Sequence, residues 1–234
     1  MSSTSAKFKI ENSTIIHNPS NVRIPFSILE IDVKNYDAIL KSMVIDLPSG
    51  DAIKLSGKVN NITSILPQIS GNKEKMSSKL SVYSNKVRYN DFMELFKNVT
   101  TKKKEKSVNT NTALKAIIKD VYQKYQPELS IKMDEFIFNK IIVNNFNSGF
   151  YFENENTLYL ENTTFDFYKA KVALDAQLNI TDPEKTEFSI GFISNKLDLE
   201  KLLVSFDYFN IPAIEEADKI DGKISVHTRI QGDY

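Results

Sequence analysis

The run Ala170-Lys-Val-Ala-Leu-Asp-Ala-Gln-Leu-Asn-Ile180 decides the fold class. Ala170, Val172, Leu174, Ala176, Leu178 and Ile180 share one phase of a two-residue period, and Lys171, Ala173, Asp175, Gln177 and Asn179 share the other. An extended chain sends successive side chains to opposite faces, so this pattern is a β-strand with one apolar and one mostly polar face. At ~3.3 Å per residue it is about 36 Å long.

The same period recurs on both sides of that run. Phe188, Ile190 and Phe192 alternate, as do Ile224, Val226, Thr228 and Ile230 against Ser225, His227 and Arg229. Phe165 and Phe167 share a face, and so do Leu158 with Leu160 and Phe150 with Phe152. Earlier strands are expected at 7–10, 22–33, 43–47, 52–59 and 80–89. Pro48-Ser-Gly50, Glu153-Asn-Glu-Asn156, Asp182-Pro-Glu184 and Asp221-Gly222 supply turn chemistry between them. The predicted fold is mainly β with one or two short helices.

One stretch has the helical period. Leu114, Ile117, Ile118, Val121, Tyr122 and Tyr125 fall on one side of a helix that Pro127 ends, and a short helix is expected at 91–96. Between these helices lies the polar run 97–111, containing Lys102-Lys-Lys-Glu-Lys106. It divides the chain into a β-rich segment 1–96, a linker 97–111 and a helix plus β-domain 112–234, and it is the expected site of first proteolysis. A weak repeat supports the division. Lys54–Leu66 and Phe188–Leu203 each read as a strand, a polar step at Asn and a short apolar helical turn.

Composition excludes several functions. The 234 residues carry 30 basic and 30 acidic side chains, so no net charge draws the chain to nucleic acid. Only Arg23, Arg88 and Arg229 offer guanidinium forks. The absence of Cys removes disulfides, thiolate metal sites and Cys nucleophiles, and two His are too few for a His-based zinc site. No apolar run reaches the length of a membrane helix, and Met1–Lys7 lacks the apolar segment of a secretory leader. No phosphate-binding glycine loop and no nucleophile elbow occurs. Asp134-Glu135 and Glu215-Glu216 are sequence neighbours that a strand would point apart, with no His companion, so the chain reads as a non-enzyme with no cofactor and no metal.

From Leu129 to Phe206 the order of patterns resembles the C-terminal part of AsmA-family proteins, particularly those of Bacteroidetes-like bacteria. Leu129-Ser-Ile-Lys-Met-Asp-Glu-Phe-Ile-Phe138 is similar to a strand of that family, and Ile141-Ile-Val-Asn-Asn-Phe146 to the step after it. Phe150–Glu161 is similar to its strand-turn-strand, Phe165–Ile180 to its long strand, and Phe188–Leu203 to its strand followed by a Leu-rich turn. The segment Ile220–Gly232 is similar to its closing strand. A paired glycine of the family is replaced by Tyr168-Lys169-Ala170. The likeness covers 110–234 well and 1–70 loosely.

The resemblance implies a long, curved antiparallel β-sheet folded like a taco or gutter, with an apolar concave face. It implies a periplasmic protein held by an inner-membrane anchor outside this chain, acting in outer-membrane biogenesis and phospholipid movement. The chain would then be a fragment of a longer protein. Its partners would be phospholipid or another acyl lipid, together with envelope proteins, and not nucleic acid. The expected groove lining is Phe165, Phe167, Val172, Leu174, Leu178, Ile180, Phe188, Ile190 and Phe192. The competing reading is a structural or interaction β-domain in which these side chains fill a closed core without a lipid ligand.

Overall fold

The computed structural model describes residues 5–17, 22–62, 75–91, 94, 121–182, 185–206 and 221–233. Eleven strands form one curved, unclosed sheet in sequence order. They are β1 (Ser5–His17), β2 (Val22–Lys34), β3 (Asp37–Asp46), β4 (Ala52–Asn60), β5 (Ser77–Arg88), β6 (Pro127–Phe138), β7 (Ile141–Asn154), β8 (Thr157–Phe167), β9 (Ala170–Asn179), β10 (Glu187–Asp198) and β11 (Lys223–Asp233). The decisive run is β9, one residue shorter than its alternation predicts.

Neighbouring strands pair antiparallel, as short turns require, with one departure from the sequence expectation. β5 and β6 pair in parallel, from Ser78 opposite Pro127 to Arg88 opposite Ile137. Parallel neighbours need a connection that returns along the strands. The 38 residues from Tyr89 to Gln126 make that return. Its described parts are helical at Tyr89–Asp91, at Glu94 and at 121–125. The expected linker 97–111 and the helix start at 114–120 lie outside the described residues. The strands that flank them are hydrogen-bonded neighbours in one sheet.

Helix α1 (Leu199–Phe206) follows β10, as the strand-then-turn pattern predicts. Asp198 caps it: Oδ1 accepts the Lys201 amide at 3.0 Å, and Glu200 stands in the first turn near the positive end of the helix dipole. The corresponding turn at 63–66 lies outside the described residues.

Several strands break their alternation. β8 reads Leu158, Leu160, then a two-residue step to Thr163, Phe165 and Phe167, and its pairing with β9 shifts between Leu160 and Thr163. β10 makes the same step from Ser194 to Leu197, β7 between Asn144 and Asn147, and β3 from Leu40 to Met43. An extra residue in a strand would turn the following apolar positions to the other face unless a bulge absorbed it. The bulges keep one face apolar and bend the strands. Asn145, Asn162 and Lys196 stand at these steps with φ of 53°, 51° and 60°. Asn provides six of the ten positive-φ residues other than Gly (Asn12, Asn35, Asn61, Asn139, Asn145 and Asn162), because its short polar side chain tolerates that region.

The hairpin between β8 and β9 turns on Tyr168 and Lys169, at φ of 44° and 68°. Two-residue hairpins of this hand favour glycine or asparagine. Here the ring of Tyr168 lies edge-on to Phe167, with centroids 4.6 Å apart.

Candidate functional site

Residues opposite one another on paired strands point to the same face. Following the partners from one edge of the sheet to the other gives Phe8, Ile31, Leu40, Gly57, Leu80, Leu129, Phe150, Leu160, Ala176, Ile190 and Ile230. This row crosses all eleven strands without a polar side chain. At ~4.8 Å per strand it is about 48 Å long. Gly57 belongs in it for steric reasons: its φ is 147°, and an added Cβ would stand 2.2 Å from the Lys79 carbonyl oxygen.

Eight of the nine predicted lining residues fall on this same face. Phe165 is opposite Val172, Val172 opposite Ser194, Leu174 opposite Phe192, Leu178 opposite Phe188, and Ile190 opposite Ala176. Phe167 is opposite Ala170 and Val143. Ile180 lies just beyond β9, where its amide donates to the Asn156 carbonyl at 2.8 Å. Val172 and Ile180 are buried, and the other seven are half-buried.

Four buried hydroxyl groups on this face are satisfied internally. Ser148 and Thr163 share a buried hydrogen bond of 2.7 Å, Ser194 donates to the Lys171 carbonyl at 3.0 Å, and Ser84 donates to the Ala52 carbonyl at 2.7 Å. A hydroxyl so engaged offers little to a ligand and leaves the surface apolar in effect. Around β3–β6 the face carries a buried apolar cluster. Leu47, Ile53 and Val87 are buried there, with Ile45, Leu55, Val82, Met133 and Phe136 packed against them.

The opposite face is polar along a matching row: Lys7, Asp32, Ile39, Lys58, Lys79, Glu128, Tyr151, Tyr159, Gln177, Ser189 and Gln231. Ion pairs cross it, including Lys41 with Asp32 at 3.3 Å, Lys79 with Glu128 at 2.6 Å and Arg229 with Asp175 at 2.8 Å. The perturbed titrations are on this face too. Glu11 raises the Lys9 pKa by hydrogen bond and charge. The Tyr83 hydroxyl is raised first by its hydrogen bond to Asp134, then by burial. Tyr151 and Tyr159 stack at 5.2 Å, and burial followed by nearby glutamates raises both.

The acidic pair Asp134-Glu135 is engaged structurally, Asp134 by the Tyr83 hydroxyl and Glu135 by Lys86. Glu215-Glu216 lies outside the described residues. His227 is exposed on β11, opposite Ile193. Among the described residues no three His, Asp or Glu side chains gather as a metal ion would require, and no helix is long and apolar enough to cross a membrane. No family model matches the chain, and no curated protein or solved structure matches it either.

Alternation alone placed the apolar residues of β8–β10 on one face. It did not identify Phe8, Ile31, Leu40, Leu80, Leu129 and Phe150 as members of the same row, because membership depends on register between strands. The signal within reach was the repeated two-residue step, which keeps apolar positions in phase across a bulge.

Proposed function

We propose that the chain binds acyl lipid along its apolar face and guides it, as the periplasmic part of an AsmA-like protein acting in outer-membrane biogenesis. The observation that carries this reading is the unbroken apolar row across all eleven strands. Each buried methylene contributes about 0.8 kcal/mol and requires no polar partner, so a hydrocarbon chain is held without a specific site and slides from one strand to the next. One leaflet of a bilayer is roughly 15 Å of hydrocarbon, so the row has length for several acyl chains in succession. The polar head group stays in water beside the face. On this reading the apolar face is the concave one, the protein is tethered to the inner membrane by an anchor outside this chain, and it performs no catalysis.

The buried cluster of Leu47, Ile53 and Val87 favours a second reading for β3–β6, a filled core with no ligand. Native mass spectrometry after purification without detergent separates the two. Co-purifying phospholipid is the expected result. A protein that emerges free of lipid, and takes up none from phospholipid vesicles, overturns the lipid reading and leaves the structural one.

A further inference from the structure

Among the described residues, β1 and β11 are the two edges of the sheet. From Ser5 to Ile16 every side chain of β1 except Ala6 is exposed, with Phe8 at 54% and Ile10 at 45%, while Ile230 on β11 is 56% exposed. A long apolar edge with unpaired backbone groups is a template for another strand. The single parallel step between β5 and β6 sets the direction of these edges. Eleven strands paired only antiparallel would leave β1 and β11 parallel; with one parallel pair they run antiparallel.

We propose that β1 of one copy pairs with β11 of a second copy, head to tail, so that the apolar face continues from molecule to molecule. Antiparallel pairing with Ile10 opposite Ile230 of the second copy puts Phe8 opposite Gly232, where no side chain obstructs the ring. On the polar face the same register sets Lys7 opposite Asp233 and Glu11 opposite Arg229. Sliding two residues one way sets Lys9 against Arg229 and loses both ion pairs; sliding the other way removes the isoleucine contact and shortens the overlap. Arg229 and Asp233 already bond Asp175 and Lys185 within the sheet, and all four side chains are exposed enough to share. A head-to-tail contact does not close on itself as a two-fold contact does, so copies add in series.

The absence of native Cys makes the test direct. Ile10→Cys and Ile230→Cys replace exposed side chains that add little to the packed interior. Mixed under mild oxidation, the two variants should give a disulfide-linked dimer that neither gives alone. Equal cross-linking of Ile10→Cys with itself overturns the proposal in favour of a two-fold β1 contact. A mixture without cross-links, sedimenting as a monomer at every concentration, overturns it as well. Glu11→Arg should weaken self-association about fivefold. Mixing it with Arg229→Glu should restore association between the altered edges, and failure to restore it overturns the register.

Discussion

The apolar face has two regions that share one strand pattern and differ in how they are filled. At β3–β6, Leu47, Ile53 and Val87 are nearly inaccessible and pack on five further apolar side chains. At β8–β10, Val172 is as buried as Val87, and Phe165, Phe167, Leu174, Leu178, Phe188, Ile190 and Phe192 beside it are half-buried. Register puts both regions on one face, so alternation makes a face apolar but does not close it. Closure needs something packed on top. The first region gathers its buried side chains in one cluster, and the second sets Val172 among a run of half-buried side chains, the part of the face on which the proposed lipid binding rests.

The sharpest way to break this comparison is a charge in each region. Val87→Asp buries an unpaired carboxylate among Leu47, Ile53 and Phe136 and should cost about 4 kcal/mol, enough to unfold a protein of ordinary stability. Thermal melting by circular dichroism measures it. Leu174→Asp stands on the half-buried region between Thr163 and Phe192, where a carboxylate keeps water. It should cost about 1 kcal/mol and abolish lipid co-purification. If Leu174→Asp lowers the melting temperature as far as Val87→Asp, the two regions are one closed core. An unchanged melt with unchanged lipid removes Leu174 from the face altogether.

A change in the hairpin beside the second region should have a comparable size and the opposite sign. Lys169 is exposed at φ 68°, and Lys169→Gly relieves a left-handed conformation worth about 1 kcal/mol. The melting temperature should rise, with lipid binding unchanged. A fall would mean that the lysine side chain, not the backbone, secures the turn.

The smallest effect lies on the polar face and leaves both apolar regions alone. The Tyr83 pKa is raised above 10.0 in the folded chain, so the neutral phenol stabilises the fold below the unfolded pKa, and that contribution is lost as pH rises through the folded value. Lys9 behaves alike around its own ordinary value of 10.5, since its raised pKa favours the charged ammonium beside Glu11. Urea titrations above pH 10 should show a shallow loss of stability that Tyr83→Phe reduces. An identical pH profile in the variant would show that Tyr83 takes no part in it.

The sequence by itself determined the class of structure and much of the site. Period two along 170–180 and its neighbours dictates strands, because side-chain direction in an extended chain depends on local geometry alone. That eight of the nine residues proposed as lining share one face was legible for the same reason. The abundance of Asn was visible without its meaning, which lies in the positive φ at turns and bulges. Only the tertiary structure decided the rest. Two strands pair in parallel because a 38-residue connection returns the chain to the other end of the sheet, and nothing in either strand's own sequence encodes its neighbour's direction. The row from Phe8 to Ile230 exists only through ten registers, each fixed by contacts between residues distant in the chain. Which part of that face is filled and which is half-open depends on what packs above it, a property that no strand carries alone.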